Sequence, residues 1–455
     1  MSNKLLLAQS VAEPGQERAT TQATAGLVLQ SGLLPSADID ADRRRNGRPD
    51  SVPRDGQEQH DVAIGCETSR ALDAESRKVV EELRTQKDFQ RLTSVEQAKL
   101  LDVLSFCLAW TDGGKESVNQ AFSALLARSV NTGAVLQQTD RNGKSVIDNL
   151  HALTVHPREL LGAGLGERRD ELILSLVREL AWPDKEIDQG SATSCVTTVG
   201  NAKLARDYPA EYARFITDLA TAGRARLIEQ DFNTGQVRLS ESLWFEYDPR
   251  FISESFRQGR SITEGIFQGA AGDFVGAFPE GLYSNQAETY YEAVFGVPFL
   301  RIDALDEDGK LQCLSELRRV TQAYGGVNMV CLKWEAGGVH GHHAIEVLDV
   351  RDGAVYFRNP WGSHSGAVSQ LESEAVAAES GIYRMSVAEF KQRLDYVMVT
   401  DKNQRAALGV TPGGHWDSGA RVQFIDDGNF SLFYQMTKSH VLERKKKIGV
   451  PERED

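Results

Sequence analysis

The sequence predicts an α+β fold, with helices gathered in its first half and strands in its second. Two observations carry that expectation. From Ala71 to about Ala181, and again after Pro209, apolar residues recur at the three- and four-residue spacing of a buried helix face. From Val237 onward strand-like runs take over, and helices followed by strands argue for two packed parts of different kind.

The elements follow in order. Residues 1 to about 68 are rich in Ala, Gly, Ser, Gln, Asp and Arg, with few aromatics and no steady period, and read as a disordered segment. Asp38, Asp40 and Asp42 are spaced as in a calcium loop, but the glycine such a loop needs at its sixth position is missing, so they read as solvated tail. Residues 69–183 read as a helical accessory or pro-region. Val79, Val80 and Leu83 share one face, and Ser94 with Gln97 reads as a capping box opening a helix that carries Leu100, Leu101, Leu104 and Leu108. Leu172, Ile173, Leu176, Val177 and Leu180 form a further stripe, ending before Pro183.

Residues 184–402 hold the rest of the expected core. Pro209 opens a helix with Tyr212, Phe215, Ile216 and Leu219 on one side. The strands expected are VRLSESLWFEY, VPFLRI, VNMVCLKW, HAIEVLDV and AVYFRN, while Ser253–Gly281, rich in Gly, Ser and aromatics, reads as a long loop. Residues 403–455 read as a closing hairpin, VQFID and FSLFYQ around Asp-Gly-Asn, with a charged tail.

Totals exclude several functions. A formal charge of −14 argues against sequence-independent nucleic-acid binding, which needs a cationic surface. Five cysteines, an odd and sparse set, do not form a disulfide framework. The N-terminal apolar run Leu5 to Ala8 is shorter than a signal peptide, and no apolar segment reaches membrane-spanning length. The expectation is a chain without membrane insertion, cytoplasmic or exported without a cleaved hydrophobic signal.

Two distant stretches carry chemistry. In HAIEVLDV-RDG-AVYFRN, His343 and Asn359 are each eight residues from Arg351, so a hairpin turning there sets an imidazole beside a carboxamide, within a residue of slippage. The carboxamide would accept the Nδ1 proton and leave Nε2 for a nucleophile. Cys195, at the end of DQGSATSC, would open a helix whose Val196, Val199 and Ala202 share a face, and the helix start would favour its thiolate. Gln189 would place its amide beside the Cys195 N–H as a two-donor oxyanion hole.

These residues resemble the papain-like cysteine proteases, and within them the calpain protease core. QGSATSC resembles the papain-type Gln-Gly-Ser-x-x-Ser-Cys segment, HHAIEV and NPWG resemble the calpain His-Ala and Asn-Pro-Trp-Gly pair, and GIYRMSVAEF resembles the calpain Gly-x-x-x-Met-Ser-x-x-x-Phe stretch. The resemblance spans roughly Lys185 to Thr400 and implies that residues 184–402 form a papain/calpain-like catalytic domain. It implies a papain-like fold, a helical half supplying Cys195 and a β-rich half supplying His343 and Asn359. It also implies a peptide or protein substrate, supporting roles for Gly190 and Ser194, and a Trp361 that shields the His–Asn hydrogen bond. The chain departs from the family in having Val196 where a Trp usually follows the cysteine, and adjacent His342 and His343 where one histidine is usual; Ala344 and the sixteen-residue interval favour His343.

The function expected is therefore a cysteine endopeptidase. Two alternatives stay open: an acyl-transfer effector of deamidase or transglutaminase type using the same triad, and an inactive papain-like binding protein. His340, His342 and His343 could instead ligate zinc, but strand alternation sends His343 the other way and no Cys-x-x-Cys or Glu-x-x-His accompanies them, so no metal ligand is assigned. No cofactor is required. The resemblance allows calcium regulation, and Asp303–Lys310 is one place for it, though a solvated acidic turn is the plainer reading.

Overall fold

Local capping and apolar stripes build the helical part first. The computed structural model describes residues 72–400 except 111–113, 131–132, 191, 231–236, 279–280, 283, 297–298, 323–325, 337–338, 362–373 and 378–380. The expectations for 1–68 and 403–455 lie outside the described residues. Helix α1 (Ala74–Thr85) starts where Asp73 accepts the Ser76 N–H at 2.8 Å, and it buries Val79, Val80 and Leu83 as its stripe requires. After the short α2 (Lys87–Gln90), α3 (Ser94–Trp110) has its capping box one residue earlier than expected. Thr93 N–H donates to Glu96 at 2.7 Å and Glu96 N–H donates back to the Thr93 hydroxyl at 3.3 Å, while Gln97 turns to the Phe89 and Leu92 carbonyls.

Helix α4 (Lys115–Ala127), the two-residue strands β1 (Ser129–Val130) and β2 (Gly133–Ala134), α5 (Val146–Val155) and α6 (Arg169–Ala181) complete the region. Pro183 ends α6 and opens the short α7 (Pro183–Glu186), its ring preset for a first helical turn. Helix α8 (Cys195–Asp207) follows, then α9 (Pro209–Ala222), closed by Gly223 at φ 70°, and the antiparallel pair β3 (Arg224–Gln230) and β4 (Val237–Glu246).

The stretch expected as a loop, Ser253–Gly281, is largely helical: α10 (Glu254–Arg257) and α11 (Ile262–Phe274). Its glycines are a packing device. A Cβ on Gly269 would stand 2.5 Å from the Phe251 ring, and one on Gly265 would stand 2.5 Å from the Phe251 carbonyl oxygen. The helix gives up intrinsic propensity for that close approach.

The remaining elements are α12 (Ser284–Phe295), β5 (Leu300–Asp303), α13 (Glu307–Gln322), β6 (Asn328–Ala336), β7 (Val339–Arg351), β8 (Ala354–Arg358), β9 (Glu374–Ala377), β10 (Ile382–Ser386), α14 (Val387–Arg393) and β11 (Leu394–Val399). Helices α11 to α13 thus interrupt the expected simple order of helices, then strands. The acidic stretch Asp303–Lys310 is no free turn: Asp306 accepts the Gly309 N–H at 2.8 Å and starts α13.

An antiparallel sheet in the order β5-β11-β6-β7-β8-β10-β9 divides two cores. Met329, Cys331, Ala344, Tyr396 and Met398 face the helices, while the alternating Val330, Leu332, Ile345, Val347, Val397 and Val399 pack with Cys313, Leu314 and Leu317 of α13. Helices α1 to α6 share one continuous core with α8, α9, α11 and α12, so the accessory region and the helices around Cys195 bury the same apolar surface. The mixed, segregated helix-and-sheet architecture agrees with the α+β expectation.

Candidate active site

Cys195 is the first residue of α8, as its sequel implied. That helix is central: every residue from Val196 to Ala205 is buried. Gly200 lets α12 approach, since a Cβ there would lie 2.5 Å from the Tyr290 hydroxyl, which donates to the Thr197 carbonyl at 3.1 Å. Val196, standing where a tryptophan was the family expectation, is buried in the core beside Tyr291, whose hydroxyl reaches the Val196 carbonyl at 3.5 Å.

The half-buried sulfur of Cys195 meets β7, where the Ala344 N–H approaches it together with the N–H groups of Val196 and Cys195. Ala344 directly follows His343, which brings the two distant stretches of sequence together. Burial pushes the Cys195 thiol up, and those three N–H groups pull it down by less. The expected preference for thiolate at a helix start is thus outweighed by desolvation in the unliganded protein.

His343 and Asn359 meet as foreseen, by a different route. The β7–β8 hairpin turns on Asp352 and Gly353, both at positive φ (53° and 72°), with Arg351 paired to Ala354. A bulge at Leu348 shifts the register, so that Glu346 pairs with Arg358 and Asn359 comes level with Ile345, diagonal to His343 rather than opposite it. The longer reach is met by the distal ring nitrogen. Nε2 of His343, rather than Nδ1, donates to Asn359 Oδ1 at 2.8 Å, leaving Nδ1 on the other edge of the ring.

Trp361 stacks on the His343 ring, 3.7 Å between centroids and 17° between planes, and its backbone N–H donates to Asn359 Oδ1 at 3.1 Å. His343 and Asn359 are both buried. Burial lowers His343 to about 4, against the hydrogen bond to Asn359, which raises it. Because burial is the larger cause, Trp361→Ala is expected to raise the His343 pKa by one unit or more toward 6.5, as wetting stabilises the imidazolium. An NMR titration of the ring protons measures it; an unchanged midpoint would show that Trp361 does not shield the ring.

Gln189 and Gly190 sit in a turn tied on all sides. The Asp188 N–H donates to Glu264 at 2.7 Å, the Gln189 N–H to the Pro360 carbonyl at 2.8 Å, and the Gly190 N–H to Asp188 Oδ1 at 2.7 Å. Gly190 has φ +54°, and a Cβ there would lie 2.5 Å from the Gln258 carbonyl oxygen, so only glycine fits. The side chain of Gln189 spends one Nε2 hydrogen on the Ala192 carbonyl at 2.7 Å. Ser194 hydroxyl lies 3.3 Å from Thr198 Oγ1 and accepts from Arg260 at 3.3 Å, which anchors the start of α8.

Sequence reasoning missed the buried charges that join these pieces. Arg358, immediately before Asn359, donates to the carbonyls of Pro183 (3.5 Å), Asp184 (3.4 Å) and Ile187, and faces the Asp184 carboxylate at 3.3 Å. Arg206 and Lys203 of α8 both reach Glu346 of β7, and Arg206 also pairs with Asp184 at 2.9 Å. A charged residue inside the apolar run AVYFRN was the available signal.

His342, by contrast, is exposed and lies 3.5 Å from Asp395, so Asn359 selects His343. Among the described residues no group of three or more His, Cys, Asp or Glu side chains converges to hold a metal ion, Cys195, Cys313 and Cys331 are free thiols, and no helix is long and apolar enough to cross a membrane. No protein-family model and no curated protein sequence matches the chain.

Proposed function

We propose that the chain is a cysteine endopeptidase of papain-like fold, nearest to the calpain-type core, acting on protein or peptide substrates. The observation that carries this reading is the Nε2–Oδ1 hydrogen bond of His343 and Asn359 beneath Trp361, on the strand whose next amide meets the Cys195 sulfur. Thiol and imidazole each favour their neutral forms when taken singly, so charge separates only when the proton passes from Cys195 Sγ to His343 Nδ1. The imidazolium is then held by Asn359.

The thiolate attacks the peptide carbonyl carbon, and the carbonyl electrons move to oxygen. The Cys195 N–H and the second Nε2 hydrogen of Gln189 are the donors for that oxyanion. His343 returns its proton to the departing amine as the C–N bond breaks, leaving an acyl-enzyme. Water then attacks with His343 as base, and the acid product leaves with the thiol restored.

The test is incubation of the full chain with an unfolded protein substrate, reading new amino termini and released ammonia separately. New amino termini are expected. Ammonia without them would replace the endopeptidase by an acyl-transfer enzyme using the same triad, and neither product would favour the binding-protein reading.

A further inference from the structure

Behind the Gln189 turn lie two buried carboxyls that the mechanism above does not use. Glu179 of α6 and Glu264 of α11 are 1% and 2% exposed, and neither forms a salt bridge with a described lysine or arginine. Glu179 accepts from three hydroxyls, those of Tyr212, Ser261 and Thr263. Glu264 accepts two backbone N–H groups, Asp188 and Ser261, each at 2.7 Å. Ser261 therefore bridges the two, its hydroxyl on Glu179 and its amide on Glu264. The groups facing the pair are Asp188 and Glu186 from the incoming chain, Tyr212 of α9 and Arg260 at the start of α11.

We infer that Glu264, backed by Glu179, is a positioning residue for the oxyanion-binding segment Asp188–Gln189–Gly190. The inference rests on the proteolytic reading of the site. Its basis is that three consecutive amides have three separate anchors: Glu264 holds residue 188, the Pro360 carbonyl holds 189, and the Asp188 side chain holds 190. Glu264 is the only one of the three that comes from the helical part, and through Ser261 it ties the turn to α6 of the N-terminal region. Burial pushes both carboxyls up, Glu179 to about 7 with Glu186 adding negative charge and Glu264 further with Glu179 and Asp188 adding theirs, so the pair keeps a proton at neutral pH. Loss of that proton sets like charges beside Asp188 and loosens the turn.

The experiment uses the full chain and its Glu264→Ala and Glu264→Gln variants, with three readouts: alkylation of Cys195 by iodoacetamide, hemithioacetal formation with N-acetyl tripeptide aldehydes, and peptide turnover against pH. In Glu264→Ala, alkylation stays within about threefold while aldehyde affinity and kcat each fall roughly 10²-fold with KM little changed, because only the oxyanion site is displaced. Glu264→Gln recovers part of the loss, since its carbonyl can still accept the Asp188 N–H although its NH2 cannot accept the Ser261 N–H, and its alkaline decline in kcat moves up by a pH unit or more. Unchanged aldehyde affinity in Glu264→Ala, or alkylation falling in parallel with it, overturns the inference. If Glu264→Ala does not fold, the pH profile of Glu264→Gln decides, and an unshifted profile overturns it. A wild-type chain that captures the aldehyde but cleaves no peptide ends the proteolytic reading alone, and aldehyde affinity still judges Glu264. Failure to capture any aldehyde overturns both.

Discussion

Cys195→Ala is expected to lower peptide cleavage by roughly 10⁴-fold or more while leaving the fold intact. The size of the loss follows from the chemistry. Without sulfur there is no acyl-enzyme, and neither His343 nor the amides around position 195 can supply a replacement nucleophile. The fold should survive because the side chain is small and only half-buried, and alanine suits a first helical turn. Circular dichroism and the count of new amino termini check the two halves of the statement. Cleavage persisting in the variant would place the nucleophile elsewhere.

Arg358→Met should cost the most stability, about 3 kcal/mol or more. Arg358 is 1% exposed; its Nη2 donates to the Ile187 carbonyl and approaches those of Pro183 and Asp184, while its Nε faces the Asp184 carboxylate. Burial pulls its guanidinium down, and Asp184 and Glu346 push it up. Removing it takes one cation from a buried cluster, leaving Arg206 alone to face both carboxylates with Lys203 on Glu346, and takes the donor from the Ile187 carbonyl. Methionine fills much of the volume but restores none of the bonds. A fall in Tm of about 6 °C or more is expected, since each kcal/mol shifts Tm by about 2 °C in a domain of this size. Activity should fall as well, because the same guanidinium ties the segment before Gln189 to the strand end bearing Asn359. A variant as stable as wild type would mean that the charge cluster contributes no net stability.

Much of the site could be read from local pattern. Cys195 at a helix start follows from the periodicity after it, and the pairing of His343 with Asn359 follows from strand-like runs around Asp352-Gly353. Details that depend on one inserted residue could not be read: the bulge at Leu348 moves Asn359 along the strand and exchanges the roles of the two ring nitrogens. Helix α11 was hidden because glycine usually marks a loop, whereas here its missing Cβ admits Phe251. The cap of α3 fell one residue early because Thr93 and Glu96 satisfy the same spacing as Ser94 and Gln97. The thiol's direction and the roles of Glu179, Glu264, Arg206 and Arg358 rest on burial by distant chain, which composition and spacing do not carry.

The claim on which the rest depends is that the Cys195 sulfur is worked by the His343 ring. Covalent labelling of the full chain by an epoxide thiol-protease inhibitor, with the site mapped by mass spectrometry and the rate compared between wild type and His343→Ala, tests it most directly. Labelling of Cys195 alone, slowed roughly 10²-fold in His343→Ala, is the expected result. Equal rates in the two proteins, or label spread to Cys107, Cys313 or Cys331 instead, would contradict it.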